Sequence, residues 1–382
     1  MKKTLLLLIL FKGIFACGQE LSEIAIPPNG DNEKAEVSQW VGPVKITIDY
    51  HSPDVHAPNG TDRKGHIWGE LVHYGFIDQG FGPSKSGPWR AGANESTTIS
   101  LSHDVTIDGK HVKAGTYAMF LDLEKTGPSY WILSSNIGWG SFQYEPKFDI
   151  IRIPTNPEDA PYTEWLTYGF DNRQTNSTSA YLQWELKRFP FKIEVPNVVL
   201  LYIDKMRTDL SGWAGFNPQN WSIAASYCAT NKINLDEALI WADKAISEPF
   251  RGAAIGKADF ANYQAKALVL TAMGRNAEAD NIMEKAIGVE GADVFSVFLY
   301  CRTLLLQGKS DKALEISLYN QKKHPEEKFW TYVSLARSYA ATGNKTKAIQ
   351  NWEIAIPNIP DDNLKKQRLS TFQAELNNIK GQ

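Results

Sequence analysis

The sequence predicts two domains of different fold class: an antiparallel all-β sandwich or barrel over residues 37–195, then an all-α helical solenoid over residues 215–380. In the first part, apolar residues such as Val44, Ile46 and Ile48 alternate with polar ones, which is the period of a half-buried strand. After about residue 196 the period becomes 3.6 residues, as in amphipathic helices. Since no helical pattern separates the strands, antiparallel pairing is favoured over a parallel sheet.

Further strands of the β domain follow from the same alternation. It recurs around Tyr117, around Leu166 and around Leu182. Asp108-Gly109 separates two short apolar runs, and this dipeptide readily supplies the two positive φ angles of a tight hairpin turn. Many short strands joined by tight turns are typical of a sandwich or a barrel.

The helical domain contains an internal repeat. A phrase rich in Ala, Glu and Lys occurs four times, and its aligned alanines lie 41, 34 and 35 residues apart, at Ala238, Ala279, Ala313 and Ala348. Turn glycines recur at Gly274, Gly308 and Gly343, and closing prolines at Pro325 and Pro360. This period resembles the tetratricopeptide repeat, which implies stacked helix pairs that mediate protein–protein interaction. Residues 196–214 are expected to form the connector between the domains.

The N-terminal sequence predicts an export signal. Residues 1–18 combine a basic start, a short apolar run and small residues near a cleavage point, as in a signal peptide. The segment before Cys17 resembles a bacterial lipobox, in which the cysteine is lipidated, but ordinary cleavage near Gly18 is an open alternative. Residues 19–36 are expected to form a flexible tether. We therefore expect an exported protein, in the periplasm or attached as a lipoprotein to the outer membrane of a Gram-negative bacterium.

Composition excludes several classes of protein. The chain has 382 residues, 43% of them hydrophobic, and a formal net charge of −3. It is too apolar to be disordered and lacks the basic excess of a nucleic-acid-binding protein. Three cysteines cannot form a disulfide framework. Six of the seven histidines lie between His51 and His111, but their irregular spacing fits no metal motif, so no metal and no cofactor is predicted.

Residues 65–95 are the segment most able to carry chemistry. They contain seven glycines and fit neither strand nor helix, and such long irregular loops are often functional. The candidate ligand-binding residues are Trp68, His73, Tyr74, Trp89, Arg90, Asn94 and Glu95.

Arg90 has three competing interpretations. It could pair with Glu95 and hold the loop on the sandwich. It could bind a carboxylate or a phosphate with both arms of its guanidinium, beside an aromatic wall. Catalysis is the third interpretation, with Glu95 as general acid/base and His73 or Glu70 as its partner. The sequence alone names no catalytic residue.

The same segment resembles a known family. Ile67-Trp68-Gly69-x-Leu71-Val72-x-Tyr74-Gly75 and Trp89-Arg90-x-Gly92-Ala93-Asn94-Glu95-x-Thr97 are similar to the signature of DUF2911 proteins. The similarity continues through 113–117, Trp139-Gly140 and Phe189-Pro190-Phe191. The resemblance implies an exported bacterial protein of a type common in Bacteroidetes, with a domain spanning about residues 35–194 and a function that the family does not define. His73 stands where shorter members have proline, and 76–87 is an insertion.

Two functions remain open from the sequence. The first is a binding or assembly protein of the cell envelope, whose β domain binds a small ligand, a glycan or a partner and whose helical repeats bind a protein partner. The second is an envelope hydrolase that acts on a glycan or a peptide, with its site in the 65–95 loop. Clustering of His73, Glu70, Arg90 and Glu95 in one pocket would favour the hydrolase.

Overall fold

The computed structural model describes residues 32–247, 256–289 and 292–381. The chain divides into two compact units at Val198 and Val199. The first unit is built from strands and the second from helices, so the predicted order of fold classes is confirmed. The predicted signal peptide, Cys17 and most of the tether lie outside the described residues.

The described residues of the first unit, 32–198, contain ten strands in two antiparallel sheets. In chain order the strands are β1 (Glu33–Val41), β2 (Val44–Ser52), β3 (Thr98–Leu101), β4 (Val105–Ile107), β5 (Lys110–Val112), β6 (Gly115–Asp122), β7 (Ser129–Ser134), β8 (Asp149–Thr155), β9 (Glu158–Asp171) and β10 (Ser177–Glu194). One sheet has the order β1-β2-β3-β6-β7-β8 and the other the order β5-β4-β10-β9. Of the two predicted β architectures, the barrel is wrong, because the strands of the described residues form two separate open sheets.

The sequence patterns correspond to these strands. In β2 every second residue is buried, including Val44, Ile46 and Ile48, so one face of the strand packs in the core. The predicted hairpin joins β4 to β5 through Asp108 and Gly109, whose φ angles are 47° and 73°. Positive φ at both positions gives the turn the twist of the flanking strands.

Two boundaries differ from the expected ones. Residues 33–36, expected in the tether, belong to β1 and pair with β2, where Glu33 lies opposite Ser52. These residues are mostly charged, so they carry no apolar alternation. The expected connector 196–214 contains helix α1 (Val198–Ser211), which is held by the burial of Ile203 and Leu210 in the core of the second unit.

The second unit is a succession of helix pairs. After α1 come α2 (Pro218–Asn231), α3 (Leu235–Ile246), α4 (Phe260–Ala272), α5 (Asn276–Gly288), α6 (Val294–Leu306), α7 (Ser310–Lys323), α8 (Trp330–Ala341), α9 (Lys345–Ala355) and α10 (Asp362–Lys380). Turns of three residues join α2 to α3, α4 to α5, α6 to α7 and α8 to α9. The four aligned alanines are buried, each in the second helix of a pair. This arrangement is compatible with the repeat that the sequence predicts.

The turn glycines have a conformational role. Gly274, Gly308 and Gly343 adopt φ angles of 78°, 74° and 82°, a region that L side chains rarely occupy. Each glycine therefore ends the first helix of its pair and reverses the chain. No helix in the described part of the chain is both long enough and apolar enough to span a bilayer.

Candidate functional site

The 65–95 segment lies between β2 and β3 and forms neither a helix nor a strand of its own. Two backbone hydrogen bonds attach it to the end of β6. The Leu121 N–H donates to the Trp89 carbonyl (2.8 Å), and the Gly75 N–H donates to the Leu123 carbonyl (2.8 Å). The segment is therefore an ordered excursion held on the six-stranded sheet.

Trp68 belongs to an aromatic cluster that we call the indole cluster: Trp68, Trp89, Trp184 and Phe189. The centroid of the Trp68 ring lies 6.0 Å from Trp89, 6.0 Å from Trp184 and 5.0 Å from Phe189. Trp184 and Phe189 come from β10, so the cluster ties the irregular segment to the second sheet. Trp68 thus packs within the fold.

The turn that follows Arg90 has an unusual backbone conformation. Ala91 and Asn94 adopt φ angles of 53° and 55°, which non-glycine residues rarely do. The Ala91 carbonyl accepts hydrogen bonds from Thr97 Oγ1 (3.1 Å) and from the Tyr168 hydroxyl (2.8 Å). Such strain persists only where the surroundings enforce it, and it is common at ligand sites.

Arg90 is held by this turn without a carboxylate partner among the described residues. Its Nη1 donates to the Asn94 carbonyl, and its guanidinium lies over the Phe142 ring, 4.3 Å from the centroid. Burial lowers the pKa of Arg90, and Glu95 opposes that fall only in part. Of the three interpretations of Arg90, the Arg90–Glu95 pair is not formed, because Glu95 binds His51 instead (Oε2 to Nδ1, 3.1 Å).

A cavity of about 400 Å³ opens beside Arg90. Of the seven candidate residues, the structure brings four to its lining: His73, Trp89, Arg90 and Asn94. The other three lie elsewhere: Trp68 is in the indole cluster, Glu95 is with His51, and Tyr74 packs its ring against Gly69, where an added Cβ would come within 2.3 Å of it.

Sequence reasoning missed the opposite wall of the cavity. Trp139, Ser141 and Phe142 complete the lining together with Leu71, Gln79, Gly92 and Ala93. Trp139 is 57% exposed, so much of its ring is open to solvent. The sequence signal for this part of the lining is Trp139-Gly140, which takes part in the family resemblance.

His73 is the titratable group nearest to Arg90 in the cavity lining. Its Nε2 lies 3.1 Å from the Gln79 amide nitrogen, and its buried Nδ1 has no hydrogen-bond partner among the described residues. Burial lowers the pKa of His73, which favours the neutral ring at neutral pH. The negative charge of Asp122 opposes this lowering of the His73 pKa. The Asp122 carboxylate is itself buried and accepts a hydrogen bond from Arg152, and its burial raises its pKa.

The six histidines between 51 and 111 do not converge. Four of them pair with four different carboxylates: His51 with Glu95, His56 with Glu164, His66 with Glu70 and His111 with Asp104. His103 bonds Ser102. Within the described ranges, no group of three or more His, Cys, Asp or Glu side chains is placed to hold a metal ion.

Glu164 gives the β domain a measurable acid sensitivity. Burial raises its pKa, but hydrogen bonds from Tyr162 and His56 outweigh burial and hold the pKa at about 2, below the ordinary 4.5. A depressed pKa stabilises the fold above about pH 4.5, and that stabilisation is lost as the pH falls towards 2. Glu164→Gln should therefore lower the free energy of unfolding at pH 7 by about 1 kcal/mol, since the carboxylate is partly exposed.

Thermal unfolding measured from pH 7 down to about pH 3 checks this prediction. The difference between wild type and Glu164→Gln should widen as His56, whose pKa is raised by its hydrogen bond with Glu164, gains its proton below pH 7. It should then narrow below about pH 4.5, where the carboxylate itself is protonated. Glu33→Gln, at an exposed carboxylate outside this network, serves as the control and should change little at any pH. A difference that stays constant over the whole range would contradict the assignment.

These features define a two-part protein: a β domain that carries a small aromatic and basic cavity, followed by a domain of paired helices. The β domain matches the model of a known family. Residues 32–193 match the family model described as protein of unknown function (DUF2911), which confirms the resemblance. No curated protein matches the chain. The family's description names no activity, so the site geometry carries the functional argument.

Proposed function

We propose that this is an exported binding protein of the cell envelope. Its β domain holds a carboxylate-bearing ligand against Arg90, and its helical domain binds a protein partner. The observation that carries the ligand proposal is Arg90 itself. A partly buried guanidinium beside a cavity, with one carbonyl and one aromatic ring as its neighbours, favours an anion to complete its hydrogen bonds.

The other lining residues narrow the ligand class. Trp89, Trp139 and Phe142 offer flat apolar surfaces, which suit the face of a sugar ring or another planar group. A volume of about 400 Å³ is near the small end of ligand sites and suits one or two rings. An acidic sugar unit of a glycan combines a ring face with a carboxylate, and it is the ligand that we infer.

The proposed compartment rests on the N-terminal sequence. The signal-like residues 1–18 support export, and Cys17 supports a lipid anchor. An acidic envelope glycan is a ligand to which an exported protein has access.

Arg90→Lys tests the binding site. The full-length mature protein is applied to an array of acidic glycans and their neutral counterparts, and dissociation constants are measured for those it binds. Lysine keeps the charge but loses the planar fork. Affinity for the acidic glycans should fall about 10- to 100-fold, as expected for the loss of a charged hydrogen bond, while the melting temperature changes little.

Arg173→Lys is the matched control, because Arg173 is exposed and does not line the cavity. It should leave affinity unchanged. Equal affinity of the wild type for acidic and neutral glycans would overturn the proposal. So would an Arg90→Lys variant that loses thermal stability and keeps its affinity, because that result would assign Arg90 a purely structural role.

Hydrolysis is the second candidate function, and His73 is the observation that favours it. Its ring lines the cavity, and burial favours the neutral form that can accept a proton from water. The expected carboxylate partners are not in the lining: Glu70 binds His66 (3.0 Å) and Glu95 binds His51. Cleavage of a bound glycan in the same assay, lost in His73→Ala while binding persists, would favour the hydrolase.

A further inference from the structure

A second groove lies wholly within the helical domain, between α6, α8 and α10. Its volume is about 590 Å³. Its floor includes Phe295, Phe298 and Trp330, whose ring centroids lie 4.7–5.8 Å apart in pairs. We call these three residues the aromatic floor. Together they form an apolar surface that can contact one large apolar side chain of a partner from several sides.

The apolar surface continues to the rim of this groove. Leu306, at the end of α6, is 80% exposed, and Phe295 and Leu299 are also exposed on the same helix. Contiguous apolar surface of this kind on a water-facing helix is typical of an interaction site.

The charges that line the groove are unbalanced. Arg302, Arg337 and Arg368 face it, against one carboxylate, Glu375. Glu375 is already bound by Arg337 through two hydrogen bonds (2.9 and 2.7 Å). Arg302 and Arg368 are exposed, and neither has an ion-pair partner within the described ranges. The groove therefore carries a local excess of two positive charges, although the whole chain has a formal net charge of −3.

We propose that this groove binds an extended acidic segment of a partner protein, with one bulky apolar side chain on the aromatic floor and carboxylates on Arg302 and Arg368. This inference rests on the proposed role of the helical domain and gives its partner a chemistry. An acidic segment is favoured because its carboxylates complement the two unpaired guanidinium groups, whereas a basic segment would be repelled. The apolar anchor supplies affinity, and the charges supply orientation and specificity.

The test is a selection of random dodecapeptides displayed on phage against the full-length mature protein. Enriched sequences should carry several Asp or Glu residues around a Leu, Phe or Trp. Synthetic copies should bind Arg302→Glu/Arg368→Glu at least tenfold more weakly than wild type. Lys232→Glu/Lys285→Glu changes the net charge equally on exposed lysines outside the groove, and it should bind as wild type does.

The other outcomes are distinguishable. Enriched peptides that are basic or uncharged would overturn the inference. Acidic peptides that bind both double variants equally would overturn it too, since they would bind elsewhere, but would leave the proposed protein-binding role standing. A selection that enriches no peptide would overturn both the inference and that role, while the glycan test of the β domain would remain independent. A Phe295→Ala variant, expected to weaken binding at unchanged charge, checks the aromatic floor.

Discussion

Replacing Trp184 by alanine is expected to lower the free energy of unfolding of the β domain by about 3–5 kcal/mol, the usual cost of removing a large buried aromatic side chain. Trp184 is 1% exposed and belongs to the indole cluster, 6.0 Å from Trp68 and 6.3 Å from Trp89 between ring centroids. The cavity left behind would remove support from Trp89, which lines the ligand site. Urea unfolding followed by circular dichroism measures the change.

Trp139→Ala is the matched control for this experiment. Trp139 has the same side chain, but it is largely exposed and lines the ligand cavity. Its replacement should change stability by less than about 0.5 kcal/mol, as is usual for exposed positions, and should weaken ligand binding. Equal destabilisation by the two substitutions would mean that the indole cluster does not organise the domain.

Ala348→Leu should produce the second large effect, a loss of about 1–3 kcal/mol in the stability of the helical domain. Ala348 is fully buried in α9, which packs against α8. Three additional carbon atoms cannot be placed there unless the two helices move apart. Thermal unfolding followed at 222 nm measures the loss.

Ala374→Leu makes the same change at an exposed position of α10 and should be nearly neutral. If both leucine variants have the melting temperature of the wild type, the alignment of Ala348 with the helix-packing position of the repeat is incorrect. If Ala348→Leu alone melts early, the close approach of α8 and α9 is required for stability.

Local patterns determined much of what could be predicted about the fold. The alternation in β2, the Asp108-Gly109 turn and the glycines that end the helices all act within a few residues, so the sequence displays them directly. Sheet arrangement depends on distant pairs: β4 pairs with β10, where Ile107 lies opposite Ile193. No local period encodes such a pairing, so the sandwich and the barrel could not be distinguished.

The candidate site shows the same division between local and distant effects. Glycine content and irregularity located the 65–95 segment, and Trp89, Arg90 and Asn94 near its C-terminal end do line a cavity. Glu95 follows directly in sequence, yet it binds His51 on β2, because the turn at Asn94 sends it away from Arg90. Phe142 contacts Arg90 through a loop some fifty residues later, and composition could not have indicated that contact.

The stacking within the indole cluster also has an optical consequence. The rings of Trp89 and Trp184 are nearly parallel, with an interplanar angle of 19°, and Trp68 meets both edge-on. Indoles at this separation couple their electronic transitions, so we expect an exciton signal in circular dichroism that isolated tryptophans lack. Since Trp89 lines the cavity, a ligand that displaces its ring would change that signal. The circular dichroism of these tryptophans would therefore report ligand binding in the cavity without an added label.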